Sequence, residues 1–137
     1  MIYVLDSSFV AAQIIPDEKD HLVDKMYSKI KSTDEKYVPY ILWYEMANLF
    51  QNLVRRRRYT YEKVVQFFPL FRAIRLTNDS ESGYAYSQKL LGLCNTYNLS
   101  SYDAAYLELA ERKNAMLCTL DDGLRAAAKR HGVAVLR

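Results

Sequence analysis

The sequence predicts an α/β chain: a single-domain three-layer α/β/α sandwich with a mainly parallel sheet. Three observations carry that expectation. The chain has 137 residues, a length that suits one domain and buries roughly two thirds of the unfolded surface. Short apolar runs alternate along it with longer stretches of helical periodicity. Except for Arg75 in Ala73–Leu76, the short runs are apolar, without the alternation of a sheet wet on one face, so helices are expected on both sides.

In chain order, strand-like runs are expected at Ile2–Leu5, Tyr37–Val38, Ala73–Leu76, Met116–Cys118 and Val133–Leu136. Between them the polar span Asp17–Lys31 has helical composition. Residues Ile41–Val54 set Leu42, Met46, Leu49 and Leu53 on one helical face. Thr60 is a candidate cap for a helix from Tyr61 to about Phe71, which Pro69 is expected to cut short. Helices are also expected over Glu81–Tyr97, despite Gly83 and Gly92, and over Ser101–Lys113, where Tyr102, Ala105, Tyr106 and Leu109 share a face. A last helix, Asp121–Arg130, stops at His131-Gly132.

Composition narrows the chemistry. Apolar residues make up 50% of the chain and charged ones 26%, as in an ordinary folded protein. No apolar run approaches the ~20 residues of a membrane span, and no basic region precedes Ile2 as in a signal peptide. A cytoplasmic chain without a membrane partner is the expectation. Cys94 and Cys118 form no CxxC pair and are expected as core thiols. With His21 and His131 the only histidines, far apart, histidine catalysis and zinc hydrolysis have little to stand on. The net charge of +3 is uneven. Arg55, Arg56, Arg57, Arg58, Lys63, Arg72 and Arg75 face only Glu62 between residues 51 and 75.

Four acids stand at comparable places. Asp6 ends the first strand-like run, and Asp121, with Asp122 beside it, follows "AMLCTL". Asp103 lies in the first turn of the helix opened by Ser100-Ser101, and Glu45 early in the helix after "KYVPY". Ligands bind outside the carboxyl ends of strands in open α/β sheets, and helices that follow strands begin at that same edge. On their helices Glu45 and Asp103 each border an apolar stripe, Glu45 sharing its flank with Asn48 and Asn52. Singly, Asp6, Asp103 and Asp121 have an ordinary explanation as a helix cap or a first-turn acid, the latter worth roughly 0.3–1 kcal/mol against the helix dipole, and Glu45 as a half-buried partner of an arginine. Converging carboxylates repel unless a cation neutralises them. Oxygen ligands without His or Cys favour a hard ion, Mg2+ or Mn2+.

The segments "VLDSSFVAA", "YVPYILWYEMANLFQNLVRRRRYT" and "LSSYDAAYLELAERKNAMLCTLDDGLRAAAKRHGV" together resemble PIN-domain ribonucleases of the VapC toxin type, along the whole chain and in order. The resemblance implies a PIN-like fold and a divalent-metal-dependent endoribonuclease that leaves 5′-phosphate and 3′-hydroxyl ends. It carries the catalytic and metal-binding roles to Asp6, Glu45, Asp103 and Asp121, Asp6 and Asp103 being the principal ligands. Glu45 and Asp121 complete the shell, bind a second ion or orient water. Ser8 matches a small polar residue supporting the first acid, and Thr119 a hydroxyl before the last. The family needs one acid where this chain has Asp121 and Asp122, and Asp121 falls directly at the strand end. The resemblance also implies a homodimer and a small cognate antitoxin.

Arg55, Arg56, Arg57 and Arg58 are candidate contacts to RNA phosphates, or equally a solvated helix end whose cations suit the dipole. Two other functions compete. A phosphoaspartyl phosphatase or receiver also places an Asp after its first strand. Such phosphatases want a second Asp two residues on, where this chain has Ser8, and a receiver's further acidic pair and late lysine find no place. A non-catalytic interaction module of the same fold is the other, with four intact acids against it.

Overall fold

The computed structural model describes residues 1–18 and 21–137. Strand β1 (Ile2–Leu5) is the axis of the sheet. It pairs in parallel with β2 (Glu35–Val38) on one side and β4 (Met116–Cys118) on the other, and β3 (Thr77–Asn78) pairs in parallel with β2. The order is β3-β2-β1-β4. Tyr3, Val4, Leu5, Val38, Leu117 and Cys118 are buried, as strands covered on both faces must be. Residues 2–5 and 116–118 pair in the positions the apolar runs predict.

The helices are α1 (Ser7–Ile14), α2 (His21–Tyr27), α3 (Ile41–Arg55), α4 (Tyr61–Val65), α5 (Phe68–Ala73), α6 (Tyr84–Tyr97), α7 (Ser101–Arg112) and α8 (Asp122–His131), with a 3-10 turn at Pro16–Glu18. Helix α1 packs against α2, α3 and α5, while α7 lies on β1 and β4 and packs against α6 and α8. Leu42, Met46, Phe50 and Leu53 form the buried stripe of α3; the expected stripe has Leu49 where the structure buries Phe50, and Leu49 is only half-buried. Thr60 caps α4 by accepting from the Lys63 N–H at 3.1 Å. Cys118 is buried and Cys94 half-buried, both free thiols.

Several expectations need correction. The span Asp17–Lys31 is not one helix: the 3-10 turn at Pro16–Glu18 and α2 divide it, and Lys19 and Asp20 lie outside the described residues. Pro69 does not end a helix but stands in the first turn of α5, where its missing N–H costs nothing. Phe67, Phe71 and Ile74 then bury at helical spacing. Ala73–Leu76 is therefore no strand; the chain reaches the sheet only at Thr77, after Arg75 turns it with φ +59°. In Val133–Leu136 only Val135 pairs, with Leu117. Its buried residues, Val133 and Leu136, are three apart, a spacing foreign to a pleated strand. Helix α6 begins at Tyr84 rather than Glu81, because Gly83 adopts φ +102°.

One buried charge cluster braces α7. Glu108, 1% exposed, accepts from Arg112 Nε at 2.9 Å and faces Lys89 of α6 at 3.4 Å. Arg112 also holds Asp79, beyond β3, at 2.6 Å. One guanidinium thus joins α7 to the far edge of the sheet.

Candidate active site

Asp6 follows the last residue of β1, and its N–H donates to the Cys118 carbonyl of β4 at 3.1 Å. Its side chain is buried at 4% exposure. Oδ1 accepts from Ser8 Oγ at 2.6 Å and from the Phe9 N–H at 3.0 Å, so Asp6 is the N-cap of α1. Oδ2 accepts from Thr119 Oγ1. Ser8 Oγ accepts in turn from the Leu120 N–H at 3.1 Å. These bonds knot the ends of β1 and β4 together through one carboxylate. Burial pushes the Asp6 carboxyl up to about 6, against the pull of the Ser8, Thr119 and Phe9 bonds, and the charge of Asp103 adds to the rise.

Asp121 caps α8, accepting from the Leu124 N–H at 2.7 Å, while its own N–H donates to Thr119 Oγ1 at 3.0 Å. Arg125 clasps the Thr119 carbonyl at 2.8 Å. Thr119 therefore supports Asp6 with its proton and Asp121 with its lone pair. The Asp122 side chain is 98% exposed and meets only Arg125, at 3.6 Å, among the described residues. Of the two adjacent acids, Asp121 is the one whose charge reaches Asp103.

Asp103 lies in the first turn of α7, its N–H donating to the Ser100 cap at 3.1 Å. Burial raises its carboxyl, with the Asp121 charge adding. Glu45 in α3 accepts from the Tyr106 hydroxyl at 2.6 Å. Burial also raises Glu45 and Asp103 repels it, while the Tyr106 and Ser7 hydroxyls oppose the rise. Tyr106 itself is buried and its phenol is pushed up, first by burial and then by Glu45. The sequence places Tyr106 only in an apolar stripe. A buried phenol needs a hydroxyl partner, and its position one turn beyond Asp103 was the available signal.

Asp103 thus stands among the other three acids, raising Asp6 and Glu45 and raised by Asp121. Asp6 uses three of a carboxylate's roughly four acceptor sites, which leaves a lone pair on the oxygen facing Thr119. Among the described residues, no three His, Cys, Asp or Glu side chains enclose a metal ion by themselves. Mg2+ is ordinarily held by one or two carboxylates and keeps several waters. The donor set fits that kind of ion.

Beside the acids opens a cleft of about 450 Å3, lined by Ser7, Glu45, Asn48, Asn52, Tyr102, Arg56 and Arg58 among others. Arg56 caps α3, and Arg57 turns the chain with φ +57°. Arg58 pairs with Asp17 at 2.7 Å. The four arginines therefore divide: Arg56 and Arg58 wall the cleft, whereas Arg55 and Arg57 are exposed away from its lining.

A parallel sheet with acids just beyond β1 and β4 and in α3 and α7 defines a class, and the PIN domain family model matches residues 3–130. The chain belongs to the PIN domain family. Solved structures share its fold at low identity. FitAcB from Neisseria gonorrhoeae is 21% identical, over 100% of this chain and 97% of that one, with a TM-score of 0.66. VapBC2 from Rickettsia felis, bound to a DNA fragment from its promoter, is 17% identical over 100% and 98%, with a TM-score of 0.68. VapBC-1 from nontypeable Haemophilus influenzae is 15% identical over 95% and 94%, with a TM-score of 0.64. No curated protein matches the chain.

Proposed function

We propose that the chain is a divalent-metal-dependent ribonuclease of the VapC toxin type, hydrolysing RNA phosphodiester bonds at the rim formed by Asp6, Glu45, Asp103 and Asp121. The observation that carries this reading is the placement of half-buried and buried carboxylates from separate elements at one edge, where burial first and a neighbouring acid second raise Asp6, Glu45 and Asp103. Folding disfavours such a gathering unless a cation or a reaction uses it. Asp6 and Asp103 hold the Mg2+ or Mn2+, whose chemistry when bound is to acidify water and offset phosphoryl charge. Ser8 and Thr119 fix the Asp6 carboxylate, the Tyr106 hydroxyl fixes Glu45, and Glu45 and Asp121 orient water or complete the shell. Arg56 and Arg58 draw the RNA backbone along the neighbouring cleft.

The structural neighbours FitAcB and VapBC2 support a toxin that a small antitoxin restrains, and on this reading the working unit is a cytoplasmic homodimer. Among the described residues no helix is long and apolar enough to cross a membrane. The test is incubation of the purified protein with structured RNAs. Cleavage should require Mg2+ or Mn2+, stop in chelator, and vanish in Asp103→Asn. Undiminished cleavage in excess chelator sinks the metal-dependent reading. Sedimentation at micromolar concentration should give a dimer, and a monomer there removes the dimer from the proposal.

A further inference from the structure

A second cleft adjoins the acidic rim. It encloses about 250 Å3 between the starts of α3, α6 and α7, and Tyr40, Tyr44, Tyr86 and Tyr102 contribute to its wall. Tyr44 is 69% exposed, Tyr102 57% and Tyr40 48%. Among the described residues none of these three rings stacks on another aromatic or under a cation. Tyr44 directly precedes Glu45 and Tyr102 directly precedes Asp103, so each ring neighbours a rim acid along its helix. Tyr102 also lines the cleft of Arg56 and Arg58, and is the wall common to the two.

Resting on the ribonuclease reading, we infer that this tyrosine cleft holds an unstacked base of single-stranded RNA while the phosphates beside that base run along the arginine cleft. Each half of the arrangement selects one half of a nucleotide. Arg56 and the Asp17-paired Arg58 attract phosphate to a cleft that Glu18 and Glu45 also line, whereas on the tyrosine wall Glu81 is the one charged side chain among the described residues and accepts hydrogen bonds from the amino edges of bases. Aromatic faces take any base. The cleft is below the roughly 300–1,000 Å3 of cofactor and drug-sized sites, a size for one planar ring. With a base on Tyr102's one side and backbone on its other, the phosphodiester between them falls beside Asp103. A base locked in a duplex cannot enter the cleft.

The test measures binding of a fluorescein-labelled 12-nucleotide RNA by anisotropy in chelator, single-stranded and as a duplex, and then cleavage in Mn2+. Wild type should bind the single strand more tightly than the duplex. Tyr102→Ala and Tyr44→Ala should each weaken single-strand binding about ten- to a hundredfold, with the salt dependence unchanged, and Tyr102→Phe should restore it. Wild-type affinity in both alanine variants overturns the inference, as does equal affinity for duplex. So does a solution dimer that Tyr44→Ala splits without altering RNA affinity, which makes the cleft an interface between copies. Binding with these signatures but no cleavage in Mn2+ overturns the nuclease reading alone. No RNA binding by wild type overturns both.

Discussion

Replacing Asp6 with asparagine should stabilise the metal-free protein at neutral pH and much less in acid. Asn keeps the shape and the cap, since its Oδ1 still accepts from Ser8 and Phe9, and the Thr119 hydroxyl can accept from the new amide. What disappears is a buried charge. In the folded protein the Asp6 carboxyl keeps its proton up to about pH 6, against an ordinary value of 3.8. Between those values the folded state binds more protons than the unfolded one, so stability falls as pH rises. The full effect is about 3 kcal/mol at 1.36 kcal/mol per pH unit, and roughly 2 kcal/mol of it develops between pH 4 and pH 7.5. For a chain of this size that corresponds to about 7 °C in Tm. Thermal melts of wild type and Asp6→Asn in chelator, across that range, give the difference curve. Carboxyls that do not interact with Asp6 titrate alike in both proteins and cancel, while relief of Asp103 in the variant acts in the same direction. The variant should gain on wild type steadily as pH rises, and Mn2+ should stabilise wild type more than the variant through binding linkage. A flat difference curve, or a variant that melts lower throughout with equal Mn2+ shifts in both, refutes the reasoning and leaves Asp6 a helix cap.

Arg112→Ala should strand the buried Glu108 with Lys89 alone and cost about 3 kcal/mol, read by chemical denaturation, whereas Arg58→Ala, at the exposed pair with Asp17, should cost under about 1 kcal/mol. Arg56→Gln and Arg58→Gln should each lower the salt slope of single-stranded RNA binding by about 0.7, while Arg57→Gln leaves it unchanged; equal slopes in all three return the run to a solvated helix end. Tyr106→Phe should reduce kcat about tenfold with little change in KM, because Glu45 loses its only tyrosine hydroxyl donor among the described residues; a KM effect alone would place Glu45 in substrate binding.

The central elements were legible because periodicity and burial agree there. The runs Ile2–Leu5 and Met116–Cys118 are uniformly apolar and become β1 and β4, and the stripe of Leu42, Met46 and Leu53 becomes the buried side of α3. Misreadings occur where one signal serves two structures. Ala73–Leu76 reads as a strand, yet Ala73 ends α5 and Ile74 continues the buried spacing of Phe67 and Phe71, so the segment is a helix end and turn rather than a strand. Pro69 reads as a stop or a start depending on which side the helix lies. At the rim, acid positions followed from element ends, whereas the Tyr106–Glu45 bond joins residues 61 apart and leaves no local trace. The resemblance marks Thr119 as the hydroxyl just before the last acid, and its bond to Asp6 across the β1–β4 pair likewise leaves no local trace.

That bond spans 113 residues, and it sets the order in which the protein comes into being. During synthesis β1, α1 and α3 emerge first, carrying Asp6 and Glu45, but the strand that closes over Asp6 arrives only with Met116–Cys118. Until then the Asp6 carboxylate has Ser8 and the Phe9 amide for company and lies open to water along the unpaired edge of β1. A nascent or truncated chain therefore holds half a rim and no burial to repel it. Long-range parallel pairing of this kind is slow to nucleate. On the ribonuclease reading, the rim is therefore incomplete in any nascent chain that has not yet reached Met116–Cys118.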